Sequence, residues 1–396
     1  MRSVYRLMQM LFSCVLLVSL MTNSALATSH QESIKIGITV SLSGEYKSQG
    51  KSLLRGLEMW AKDLNSRGAL LGSKVEIVHY DDQSDLQTSA QLYERLVTRD
   101  KVDFLVGPYA SDLTLAASDV AEKHGIPMVS GTAAAEAIWE RGYKNIFQVD
   151  LPAGRYMDDG LEIGKEVGVE RVGILYRDSL FTREVAMGAK KLAEELGMEV
   201  VVFSGYSSNT QDFSSMVKDL KNQGAELVLG AAYLSDSIAI VKEAKRQNFS
   251  PRAIGFTSGP SLNAFGQTLG ADAEGILGFT PWIRAVREPM AFDFDFRYRR
   301  LYNEAADSNA AGGYAAGEVL EAAVRLSKTQ DRDAVRDQLR KMTFVSVVGR
   351  YRVDGSGKQN GKSMYIIQWQ GGDRHLVLPE RYAEKDSVLF VPWNDR

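Results

Sequence analysis

The residue types that could hold a ligand fall in two loops, Gly107-Pro108-Tyr109-Ala110-Ser111 and Ser130-Gly131-Thr132-Ala133-Ala134. Each loop follows a short apolar run, at 104–107 or 126–130, and precedes a helical pattern. At such strand-to-helix handovers the first backbone N–H groups of a helix point outward unpaired, backed by the positive end of the helix dipole. Two of these loops side by side can hold a small anion, such as a carboxylate, without a metal or a catalytic side chain. The plainer alternative is that Ser111 caps its own helix, since Ser followed by Asp-Leu-Thr is good capping chemistry.

Other chemistries find little support. Asp81 and Asp82 are neighbours on a strand, so they point to opposite faces and read as a solvated strand end rather than a dyad. His30, His79, His124 and His375 lack metal-ligand spacing. The chain has no G-x-S-x-G elbow, no H-E-x-x-H and no phosphate loop of the G-x-x-x-x-G-K-[ST] type. The expectation is a binding protein, not an enzyme, with no metal and no cofactor.

The elements that would position the loops alternate. A strand at 34–40 leads through a polar loop to a helix whose Leu53, Leu54, Leu57, Trp60, Ala61 and Leu64 make one apolar face. A strand at 75–80 follows, then a helix capped by Ser84 with Gln87 as its capping-box partner. The two strand–helix units of 104–138 come next. Beyond 147–152 the plan restarts, with strands at 171–176, 199–203, 227–230 and 253–256 separated by helices. Strands alternating with amphipathic helices argue for parallel sheets covered on both faces. The segment 275–282 leads out of the second half, and helices at 292–305, 313–326 and 333–341 need a sheet to pack on, so they return to the first half. A hairpin of 349–355 with 364–369 returns to the second. The fold class is therefore α/β, two doubly wound parallel-sheet lobes joined by three hinge crossings near 150, 280 and 350. The N-terminal lobe takes 34–150 plus 283–346, and the C-terminal lobe 151–282 plus 347–396.

Residues 1–27 read as a cleaved signal peptide. Arg2 and Arg6 precede an apolar run at 7–20, and Ala25-Leu26-Ala27 makes a small-residue cleavage site. The mature protein is expected outside the cytoplasm, in the periplasm. Cys14, the only cysteine, goes with the leader, so the mature chain depends on its apolar core, for which its length suffices. Losing Arg2 and Arg6 from 47 basic residues leaves 45 against 50 acidic, a net charge near −5. That balance, without a basic cluster, excludes nucleic acid as an expected partner. No second apolar stretch is long enough to cross a bilayer, so the mature chain is not itself membrane-spanning.

Four segments, ITVSLSGEYKSQG (38–50), VGPYASDLTLAASDVAEKHGIPMVSGTAA (106–134), ERGYKNIFQVD (140–150) and LGADAEGILGF (269–279), carry a resemblance in order and spacing. The mature chain resembles the leucine/isoleucine/valine-binding proteins, type I periplasmic solute-binding proteins of ABC importers. The resemblance implies a cleft that closes on a small-molecule ligand, a monomer, and an ABC permease and ATPase complex as partners. It also implies site residues. The ligand carboxylate would meet Tyr109, Ala110 and Ser111 on one loop. Thr132, Ala133 and Ala134 on the other would offer a backbone carbonyl to a ligand ammonium and a hydroxyl or amide to the carboxylate, with Ala134 where relatives often carry threonine. Phe181 and Tyr233 match aromatics that cover the ligand from the second lobe. Where amino-acid binders place a glutamate for the ammonium, this chain has Thr257. Either Asp236 takes that role or the ligand lacks an ammonium there; Asp236 is equally suited to cap the helix of 237–247. The expected solute bears a carboxylate, with a branched-chain or hydrophobic amino acid first. An aromatic or other organic acid, an amide, or a sensing receptor of the same fold is the alternative.

Overall fold

The computed structural model describes residues 33–286, 290–387 and 391–393. The expected leader lies outside the described residues. β1 (Ile34–Val40) is buried along nearly its whole length, as a central parallel strand must be. It lies between β2 (Val75–Asp81) and β3 (Phe104–Val106), and β4 (Met128–Ser130) and β5 (Ile146–Gln148) continue the sheet. All five strands are parallel, in the order β2-β1-β3-β4-β5. The intervening helices are α1 (Lys47–Ser66), α2 (Leu86–Thr98) and α3 (Ser111–Lys123). The cap of α2 is Asp85, whose side chain accepts from Thr88 N, and not Ser84. Gln83 and Ser84 both take positive φ in the turn before the helix, which moves the start one residue on.

The second lobe runs α4 (Asp158–Glu166), β6 (Arg171–Arg177), α5 (Leu180–Glu195), β7 (Glu199–Tyr206), α6 (Ser214–Asn222), β8 (Leu227–Ala231), α7 (Leu234–Arg246), β9 (Ala253–Phe256), α8 (Asn263–Leu269) and β10 (Leu277–Thr280). Its strands β6 to β10 are parallel, and with two later strands, β13 (Tyr365–Gln370) and β14 (Asp373–Leu378), they form a seven-stranded sheet of order β14-β13-β10-β9-β8-β6-β7.

The chain then returns to the first lobe through α9 (Ala291–Tyr302), α10 (Ser308–Ser327) and α11 (Arg332–Lys341). Glycines let α10 approach α1 at backbone distance. A Cβ on Gly56 would stand 1.9 Å from the Ala310 carbonyl oxygen, and one on Gly313 would stand 2.1 Å from that of Leu53. A short hairpin follows, β11 (Phe344–Ser346) with β12 (Gly349–Tyr351).

Here the sequence expectation needs correcting. β12 pairs with β11, whereas β13 (Tyr365–Gln370) pairs antiparallel with β10 and with β14 (Asp373–Leu378). Val347, Val348, Tyr351 and Val353 are buried in the same core as β1 and α10. The Gln359 amide donates to Val149 O at 3.1 Å, and Gln148 N donates to Gly357 O at 2.9 Å. The chain thus stays with the first lobe beyond residue 350 and crosses close to Lys362. Apolar residues on the hairpin fill the space beneath α10 and α11, which a pattern of local strands does not reveal.

Candidate functional site

The two sheets present the C-terminal ends of their parallel strands to a common cleft, where open α/β folds hold ligands. The cleft encloses a cavity of about 60 Å³. At the ~10–15 Å³ that one water requires, this is room for several waters, the scale of a small solute. The first lobe lines it with Tyr109, Ala110, Ser111 and Thr132, and the second with Phe181, Tyr233, Thr257 and Phe279. Asp150, Tyr156 and Thr280 come from the crossings between lobes.

Ser111 is the first residue of α3, and Ala110 before it has no side chain that could cap the helix. The Ser111 hydroxyl does not cap its own helix either. Its Oγ accepts from Ala134 N and Ala135 N, each at 3.2 Å. Both acceptor positions of the hydroxyl are thereby engaged, which leaves its proton to be donated elsewhere. The same two bonds fasten the second loop to the first. Thr132 donates its hydroxyl to Tyr109 O at 3.2 Å, a further stitch between them.

Ala133 and Ala134 are buried behind the loop and are not among the lining residues. The Ala134 carbonyl is taken, accepting from Ala153 N at 2.8 Å and from the Gln148 amide at 3.3 Å.

On the second lobe Phe181 stands edge-on to Tyr156, ring centroids 5.0 Å apart. Tyr233 is the N-cap residue of α7, and burial pushes its hydroxyl up to about 12. Thr257 lines the cleft with its proton and one of its two acceptor positions engaged. It donates to Ala232 O at 2.9 Å and accepts from Ala232 N at 3.1 Å, joining the ends of β8 and β9.

Asp236 is not among the lining residues. The helix begins at Leu234, three residues before the expected start, and Asp236 sits in its first turn, accepting from Tyr233 N at 3.4 Å. Its Oδ2 also stands 3.6 Å from Arg177 Nη1. A buried carboxylate so placed serves the helix start and its arginine partner.

Asp150 is a buried carboxylate in the cleft wall. It accepts from Leu151 N at 2.7 Å and from the Tyr156 hydroxyl at 2.8 Å, with Lys362 Nζ at 3.8 Å. Burial raises its pKa above the ordinary aspartate value, opposed by Lys362, Tyr156 and Leu151.

The sequence reading missed Asp150, Tyr156, Phe279 and Arg177. The first three stand near the handovers between lobes, and a polar residue beside a hinge segment, such as Asp150 in Gln148-Val149-Asp150-Leu151-Pro152, was the available signal. Asp81 and Asp82 also differ from their expected role. Asp82 is fully buried and accepts from the hydroxyls of Ser41 at 2.6 Å and Thr39 at 2.9 Å. Asp81 accepts from Leu42 N and from the Ser43 hydroxyl. The pair therefore folds the 41–46 loop at the rim of the cleft, because that loop brings hydroxyl and amide donors to both carboxylates.

The chain matches the family model described as periplasmic binding protein over residues 33–373. It is 27% identical over 376 residues to Leu/Ile/Val-binding protein homolog 7 of Brucella suis biovar 1, covering 90% of this chain and 94% of that one. Among solved structures, it is similar to a branched-chain amino acid transporter substrate-binding protein from Streptococcus pneumoniae in complex with isoleucine. The TM-score is 0.77 at 23% identity, over 91% of this chain and 100% of the other. It is also similar to an ABC transporter solute-binding protein from R. palustris in complex with benzoate, with a TM-score of 0.76 at 19% identity over 91% and 98%. Two lobes whose parallel strands end at a common cleft agree with a match running nearly the length of the described chain: the protein belongs to the periplasmic binding protein family.

Proposed function

We propose that this protein is the periplasmic substrate-binding component of an ABC importer, exported by its leader, and that its cleft takes a small carboxylate-bearing solute. The observation that carries the reading is the Ser111 hydroxyl, held as a donor by two backbone N–H groups at the start of α3. A carboxylate is the partner such a donor and helix start favour. Delivery to a permease and ATPase complex follows from the family. A sensing receptor would use the same cleft, and the importer reading is preferred because the similar proteins named above are transporter components.

Within that class the site favours an organic acid without an amino group, and an aromatic one above others. An ammonium buried without a carboxylate is costly. Thr257, which the resemblance matches to the family glutamate, carries no charge and gives its proton to Ala232, while Asp236 faces Arg177. Tyr109, Tyr156, Phe181, Tyr233 and Phe279 supply aromatic walls. The similar R. palustris protein holds benzoate. A second reading, the branched-chain or hydrophobic amino acid, rests on Asp150, the one carboxylate among the lining residues. Calorimetry against benzoate, 3,4-dihydroxybenzoate, leucine and isoleucine separates the two. Benzoates binding at least ten-fold tighter than the amino acids is the expected result. The reverse order would move the assignment to the amino acids through Asp150, and binding by none would overturn the carboxylate reading.

A further inference from the structure

Arg177 reaches from one lobe to the other at the margin of the cleft. It ends β6 and is 8% exposed. Its backbone carbonyl accepts from Ser179 N at 2.9 Å and from the Thr182 hydroxyl, which fixes the base of the side chain in the second lobe. Within that lobe the guanidinium stands 3.6 Å from Asp236 Oδ2 and 5.2 Å from the centre of the Tyr233 ring. Its Nη2 then crosses to the first lobe and donates to Glu45 Oε1. Beside this pair the Tyr46 ring, also of the first lobe, meets Tyr233 at 6.3 Å and Tyr109 at 5.6 Å.

The loop carrying Glu45 and Tyr46 is held in advance. Asp81 and Asp82 fasten its beginning, and Tyr46 N donates to the Ser84 hydroxyl at 3.0 Å. Arg177 is equally anchored by Asp236 and Tyr233. These contacts all lie within single lobes and survive any motion of one lobe against the other. The Glu45–Arg177 pair does not, because its two halves belong to different lobes. Burial works against the charge on Arg177, but Asp236 and Glu45 outweigh it and raise its pKa, so the group stays a cation.

We propose that Glu45 and Arg177 form a latch that stabilises the closed cleft and positions Tyr233 across it. Arg177 is not among the residues lining the cavity, so it acts as a positioning residue, slowing opening without selecting the solute. The latch needs only that the lobes open and close, so it stands apart from the identity of the ligand.

The mature chain, expected to lack cysteine, accepts nitroxide labels at Lys62→Cys on α1 and Lys191→Cys on α5, one per lobe. The distance between them can be measured by pulsed electron resonance with and without benzoate. Glu45→Gln and Arg177→Gln should each lower the ratio of closed to open molecules about three- to ten-fold. Arg177→Lys, which keeps the charge, should recover part of that loss. Joining both neutral changes should do no more than either alone. Glu45 has a half-exposed side chain, so added salt should open the wild type and leave Glu45→Gln unmoved, a response that a purely structural role would not give. A closed population equal in wild type and Glu45→Gln, or absent from wild type in both conditions, overturns the latch. Failure of benzoate to bind, with the variants still differing, overturns the preference for an aromatic acid alone and leaves the latch standing.

Discussion

The two walls of the cleft use hydroxyl groups in opposite ways. On the first lobe, Ser111 accepts two backbone N–H groups and so keeps a proton to give. On the second, Thr257 gives its proton and accepts one bond within its own sheet, so it has no proton left to give a solute. The first wall carries the oriented donor beside the single aromatic Tyr109; the second is mainly aromatic, with Phe181, Tyr233 and Phe279. In the proposed binding mode one wall holds the charged end that many solutes share, while the other reads shape and surface. Separating the two tasks lets the second wall vary without loss of the anchor.

The largest effect should come from breaking the anchor. Ser111→Ala removes the donor and also releases the second loop, so the Kd of every carboxylate that binds should rise roughly 30- to 100-fold by calorimetry. A change below three-fold would take Ser111 out of the site. Phe181→Ala should weaken benzoate about ten-fold and a small aliphatic acid such as propionate much less. Equal losses for both would mean that the second wall does not read identity. Thr257→Val should leave Kd within about two-fold while lowering unfolding stability by about 1–2 kcal/mol in denaturant titration, because Ala232 loses both bonds. A large loss of affinity there would erase the contrast between the walls.

The smallest effect on binding should come from Glu318, on α10 away from the cleft. Its Oε2 accepts from Val347 N at 2.8 Å, and burial pushes its carboxyl up to about 7. The folded protein therefore holds this proton more tightly than the unfolded chain, whose glutamate titrates near 4.5. The resulting stability is complete below that value and is lost as pH rises toward 7. Glu318→Gln should flatten that decline and stabilise the protein at pH 8 by up to roughly 2 kcal/mol, with Kd unchanged. An unaltered pH profile of unfolding would show that this carboxyl titrates normally.

Much of this was legible in the residues. The period-two strands and helical faces of both lobes follow from local spacing, and the two binding loops from apolar runs that break into small residues. What local pattern could not supply was long-range pairing. The partner of β12 is β11, and the core under α10 decides where the hairpin docks. Asp236 reads equally well as ligand contact or helix-start residue until Arg177 is placed beside it. Asp82 looks like a solvated strand end until Thr39 and Ser41 close over it. In each case the deciding neighbour is distant in sequence.

The return of α9 to β12 to the first lobe has a consequence for how the molecule is made. The sheet of residues 34–148 is covered in part by helices that follow strands β6 to β10 of the second lobe, and the second sheet in turn waits for β13 and β14. A nascent chain therefore emerges with both cores unfinished, and loop closure over such separations is slow. A polypeptide built this way stays incompletely packed, and becomes a finished two-lobed body only once its final strands have crossed.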